Sequence, residues 1–172
     1  LTLSTFESGT RAEESTQRAA GVTRDKNVNP FINLYEDVLL PSEQWEDYGL
    51  VGISIVGISQ ILPGLTLARR LKENYPHLHI TLGGPIFSVN AKQLLGHPEF
   101  FDEFCHSVVT FEGEEPLHRL LTTLKKGSAL KEVPNLLFCE DEKVTLNKER
   151  VELRFEELPA PTFEGLPMDL YL

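Results

Sequence analysis

The chain of 172 residues is 41% hydrophobic and carries 16 basic against 26 acidic residues, a net charge of -10 at pH 7. That length supports one core of ordinary domain size, and the acidic balance argues against a nucleic-acid partner held through phosphates. The longest apolar stretch, Leu50 to Pro63, is interrupted by Ser54, Ser59 and Gln60; it is too short to cross a bilayer, so no membrane partner is expected.

Residues 1–44 are the least patterned. Leu1 to Phe6 is a candidate strand and Arg11 to Ala20 a candidate helix without a wide apolar face, together the first strand and helix of a sheet if they complete one. The chain opens on Leu1-Thr2-Leu3, with neither a methionine nor a basic-then-apolar leader, and is read as part of a longer cytoplasmic protein.

Residues 45–130 carry the regular pattern. Leu50 to Val56 is a nearly continuous apolar run rich in β-branched residues, as expected of a strand buried on both faces of a parallel sheet. Pro63-Gly64 opens a helix in which Leu65, Ala68, Leu71 and Tyr75 form the apolar face and Arg69, Arg70, Lys72 and Glu73 the solvated one, ended by Pro76. Leu78 to Leu82 is the next strand, stopped by Gly83-Gly84-Pro85. A short helix over Ala91 to Leu95, a strand over Ser107 to Phe111 and a helix after Pro116 with Leu117, Leu120, Leu121 and Leu124 inward follow, and Gly127 stops that helix. Alternating strands and helices predict an α/β fold: a doubly wound, mostly parallel, Rossmann or flavodoxin-like sheet.

Residues 131–157 change character. Asn135 to Cys139 and Lys143 to Asn147, around Glu140-Asp141-Glu142, predict an appended C-terminal β-hairpin, with a further strand over Glu152 to Phe155. Residues 158–172 are proline-rich and read as a linker or docking strap. Cys105 and Cys139 are expected to be buried thiols, too few for an iron-sulfur cluster. The five histidines fit no usual metal spacing and are assigned surface or capping roles, so no metal ligand is expected from the chain.

In a doubly wound sheet, ligands sit beyond the carboxyl ends of the strands. The candidate residues there are Ser54, Ile55, Val56 and Gln60 after the first strand, Gly83, Gly84, Pro85 and Ile86 after the second, and Thr110, Glu112, Gly113 and Glu114 after the third. Glycines at strand ends let a broad ligand approach the backbone, and Ser54 offers a hydroxyl. No phosphate-cradling glycine motif occurs. Glu112 and Glu114 fit a solvated loop or contacts to ligand amides better than acid-base catalysis, for no nucleophile, base and orienting group stand together.

Ser54-x-Val56, followed after 26 residues by Gly83-Gly84, resembles the Ser-x-Leu and Gly-Gly elements of cobalamin-binding Rossmann domains, with valine in place of leucine. The run from Asp47 to Ser54, the helix Ala68 to Pro76, Leu82 to Pro85, Glu112 to Glu115 and the exit Leu158 to Leu172 are similar to the N-terminal domain of cobalamin-dependent radical S-adenosylmethionine enzymes. The resemblance covers about residues 45–172 and implies a cobalamin-binding module that is not catalytic alone. It also implies a partner, the protein's own C-terminal radical S-adenosylmethionine domain, which would hold the 4Fe-4S cluster and S-adenosylmethionine and carry out methyl transfer or a related radical modification. Two features depart from the wider group. The window Glu7 to Ala12 lacks the Asp-x-His-x-x-Gly histidine of mutase-type domains, implying cobalamin held without a protein histidine, and no Cys-x-x-x-Cys-x-x-Cys occurs. The alternative is a degenerate Rossmann domain serving as an interaction scaffold without cofactor.

Overall fold

The computed structural model describes residues 12–147, 151, 160 and 162–170. Two helices precede the sheet: α1 is Ala12–Val22, and α2 spans 31–42 with a π-helical middle at Tyr35–Leu39. The sheet and its helices follow as β1 Leu50–Ser54, α3 Ile61–Asn74, β2 His79–Gly83, α4 Pro85–Leu94, α5 Pro98–Phe104, β3 Ser107–Val109, α6 Glu114–Lys126, β4 Leu136–Glu140 and β5 Lys143–Leu146. Strand order equals chain order. β1, β2 and β3 are parallel, whereas β4 and β5 are antiparallel additions that begin with Ser107 opposite Phe138. The fold is α/β, a doubly wound sheet with a C-terminal hairpin.

Alternation along the strands divides the core. One face carries Ile80, Leu82, Val108 and Leu137, packed with Leu65, Ala68 and Leu71 of α3 and with Phe100, Phe101 and Phe104 of α5. The other carries Val109, Leu136 and Phe138 under Leu120 of α6. The hairpin turn places both Asp141 and Glu142 at positive φ (51° and 57°), the conformation of a tight turn matched to strand twist. Gly127, at φ 64°, closes α6.

Several expectations are corrected. β1 is not buried on both faces: it is the edge of the sheet among the described residues, with Gly52 and Ser54 exposed. The helix expected over Arg11 to Ala20 runs on to Val22 as α1. The helix expected at Ala91 starts six residues earlier, because Pro85 fills its first turn, where the missing amide leaves no bond unmade. α5 was not anticipated. The third strand ends at Val109 rather than Phe111, whose φ of 59° turns the chain out of the ladder. Leu117 and Leu121 remain substantially exposed on α6, and Cys139 is only half-buried while Cys105 is fully enclosed. The candidate strands at Leu1 to Phe6 and Glu152 to Phe155 lie outside the described residues.

Arg69 is the largest correction. Placed on the solvated side of α3 by sequence, it is 2% exposed. Its Nε donates to Thr23 Oγ1 at 2.9 Å, its NH2 group pairs with Glu103 of α5, and its guanidinium lies 4.9 Å from the centre of the Phe104 ring. Arg24 donates to the same carboxylate. A buried arginine persists only with its donors satisfied, and here the pairing joins the end of α1, α3 and α5. Beside it, Lys72 Nζ donates to the carbonyls of Phe101 and Asp102 at 2.6 and 2.7 Å, capping the end of α5.

Candidate functional site

The carboxyl ends of β1 and β2 meet through backbone alone. The Ile55 amide donates to the Gly83 carbonyl at 2.8 Å, extending the ladder in which Ser54 stands opposite Gly83. Gly84 then adopts φ 109°, and a Cβ there would lie 2.3 Å from the Ile55 oxygen. No side chain fits that position. Gly83 differs, since a Cβ on it would meet only the Val109 oxygen at an ordinary 3.7 Å. Gly84 holds the two strand ends together, while Gly52, Ser54 and Gly83 leave a strip of backbone on the second face with almost no side chains over it.

The other candidate residues divide into those facing this strip and those supporting it. Ile55 is 1% exposed and its side chain belongs to the core. Gln60 Oε1 accepts from the amides of Val56 and Gly57 at 2.8 and 3.3 Å, so its oxygen is spent holding the loop after β1. Thr110 is fully buried, with both its amide and its hydroxyl donated to the Asn135 carbonyl. It fastens β3 to the segment before β4 instead of facing outward. Pro85 begins α4, and Ile86 packs partly against the core. Glu112 and Glu114 are exposed around Gly113 at the start of α6.

The sequence reading missed an apolar rim at this edge. Val56 is 60% exposed, Ile58 39%, Val89 78% and Phe111 42%. The Phe111 amide donates to Ser88 Oγ at 2.7 Å, which ties the loop after β3 to α4 and holds the aromatic ring at the surface. The signal lay in the sequence as large apolar residues just after strand ends and, at Val89, on the outer side of α4, but element boundaries were needed to see it.

No histidine is found in these three loops. His79 and His106 are instead half-buried at the amino ends of β2 and β3, with ring centres 5.1 Å apart, so neither is a surface residue, while His106 does cap main chain by accepting the Ile80 amide at 2.9 Å. Among the described residues, no group of three or more histidine, cysteine, aspartate or glutamate side chains is arranged to hold a metal ion, and no helix is long and apolar enough to cross a membrane.

No family model matches the sequence. A relative described as an uncharacterized methyltransferase from Pyrococcus horikoshii is 29% identical over 126 residues, covering 73% of this chain and 26% of that protein. A solved structure of the radical S-adenosylmethionine methyltransferase TsrM from Kitasatospora setae, with cobalamin and a 4Fe-4S cluster bound, superposes on 71% of this chain at 19% identity and a TM-score of 0.46. The chain spans about a quarter of the length of each.

Proposed function

We propose that this chain is a cobalamin-holding module of a radical S-adenosylmethionine enzyme, not catalytic alone, whose parent protein transfers a methyl group or performs a related radical modification. The observation that carries the reading is the glycine junction. Gly84 draws the backbone of β2 against Ile55, and Gly52, Ser54 and Gly83 offer a flat ligand main chain with little side chain to displace. The methyltransferase relative agrees in class.

The residues present fit the group. Ser54, Val56, Gly83, Gly84, Pro85 and Ile86 would line the entry of the nucleotide tail, and Glu112, Gly113 and Glu114 would face the carboxamides on the β3 side. Ile55, Gln60 and Thr110 act by positioning those loops. Bound cobalamin would supply a cobalt able to carry an alkyl group. The chain's own part is to hold and orient it, with the rim of Val56, Ile58, Val89 and Phe111 excluding water and docking against the C-terminal domain.

Titration of the full chain with hydroxocobalamin, followed by visible absorption, tests the reading. Saturable binding with the spectral shift of a lost lower base supports it. Gly83→Leu, which fills the strip without the Gly84 clash, should then weaken binding at least tenfold, whereas Gly84→Leu disrupts the strand junction whether or not a corrin binds. A folded protein that leaves the hydroxocobalamin spectrum unchanged would reject the reading in favour of an interaction scaffold.

A further inference from the structure

Among the described residues, four that are not glycine stand at positive φ. Asp141 and Glu142 form the hairpin turn, and Asn135 is of a type that adopts the left-handed region readily. Phe111, at φ 59°, is the exception. A bulky aromatic residue is strained there as glycine would not be, although the chain has a glycine two positions on, at Gly113.

The surroundings impose this turn from two sides. Thr110, with no exposed surface, gives both its amide and its hydroxyl to the Asn135 carbonyl at 2.9 Å. The next amide, that of Phe111, goes to Ser88 Oγ at 2.7 Å. Consecutive residues are therefore tied in different directions, Thr110 to the segment before β4 and Phe111 to the first turn of α4, where the Ser88 amide donates to the Gly84 carbonyl at 3.4 Å. Strain of this kind persists where neighbours over-determine it, and it gathers at ligand sites. Core packing does not account for it: Phe111 is 42% exposed, against 7% or less for Phe100, Phe101 and Phe104. The fold keeps a strained aromatic residue at the carboxyl edge of the sheet without burying it.

We infer that Phe111 is a ligand-contacting residue of the carboxyl-edge site, its ring offered to a flat, apolar ring face, and that Ser88 is the positioning residue that holds it there. The inference rests on the cobalamin reading. Two parts of hydroxocobalamin present such a face, the corrin and the benzimidazole base of the nucleotide tail, and aromatic rings pack favourably against either.

The test is equilibrium titration of the full chain, Phe111→Gly, Ser88→Ala and Ser88→Thr with hydroxocobalamin and with dicyanocobinamide, which keeps the corrin and lacks the nucleotide tail. Thermal melting of each ligand-free protein accompanies it. Phe111→Gly should weaken hydroxocobalamin binding by about tenfold, while its melting temperature holds or rises because the strain is relieved. An equal loss with dicyanocobinamide assigns the ring to the corrin, and a loss confined to hydroxocobalamin assigns it to the base. Ser88→Ala should lose part of the same affinity, and Ser88→Thr, which keeps the hydroxyl, should restore it. Unchanged affinity of Phe111→Gly for both probes would overturn the inference while the cobalamin reading stands, and a melting temperature lowered by more than about 3 °C would make the ring part of the fold. An unsubstituted chain that binds neither probe would remove both readings together.

Discussion

The two ends of the parallel strands are built by opposite means. At the carboxyl end, Ile55, Gly83 and Gly84 join through main chain, and the surface is shaped by side chains that are missing. At the amino end, His79, Ser107, Thr81 and His106 hold β2 to β3 through side-chain hydrogen bonds, and the His106 imidazole takes the Ile80 amide just before the β2–β3 ladder begins. One end should therefore be sensitive to added atoms and the other to added protons.

The sharpest break of this comparison is Gly84→Ala. A single methyl group meets the Ile55 carbonyl at 2.3 Å in a backbone conformation that L-residues avoid, so chemical denaturation should show a loss of about 3 kcal/mol or more. A loss below about 1 kcal/mol would mean the strand ends separate easily and the junction is not rigid.

Acidification probes the other end. The folded pKa values of His79 and His106, about 4, lie below the ordinary value of 6.5. As pH falls the unfolded chain takes up protons first, so this contribution is complete above about pH 6.5 and is lost progressively toward pH 4. The expected loss is about 2 kcal/mol across that window, allowing for partial exposure. Burial works against ionised Glu103, but the hydrogen bonds and charges of Arg24 and Arg69 win and hold its pKa low, so its contribution fades only as pH falls through the carboxylate range. In His79→Gln the slope between pH 6.5 and 4 should fall by about half; an unchanged slope would place the titration elsewhere.

These two ends were unequally legible. The carboxyl end is written in consecutive residues, because Gly83-Gly84-Pro85 after an apolar run already marks where the strand ends and the next helix starts. The amino end is not. His79 and His106 are far apart in sequence, and only the register that sets Thr81 against Ser107 brings their rings together. Arg69 was hidden for a related reason: helical periodicity reports which residues share a face, but not that Thr23 and Glu103 arrive from other elements to enclose a charge. Periodicity could not show that β1 lies at an edge either, since an apolar run looks the same with one neighbour as with two. Within the candidate site, the positions of Ser54, Gly83 and Gly84 followed from sequence, but the inward turn of Thr110 and the outward turn of Phe111 depended on where β3 stops.

Gly83→Ala sharpens the contrast within the glycine pair. The new methyl group meets one oxygen at 3.7 Å and faces the open strip, so the stability change should stay within about 1 kcal/mol by urea denaturation. A loss as large as that of Gly84→Ala would show that both glycines serve the strand junction, and Gly83 would no longer mark a ligand surface.

The smallest expected effect on folding is at Val89. Its side chain is 78% exposed on α4, so Val89→Lys should change stability by no more than about 0.5 kcal/mol. An apolar residue so placed contributes little to the chain's own core, and its value must lie in what covers the rim. Under the cobalamin reading, the lysine should leave the melting temperature in place while weakening association with a separately produced C-terminal domain, measured by calorimetry with and without hydroxocobalamin. A fall in melting temperature instead would make Val89 part of the fold, and the rim of Val56, Ile58 and Phe111 would lose its meaning as a docking edge.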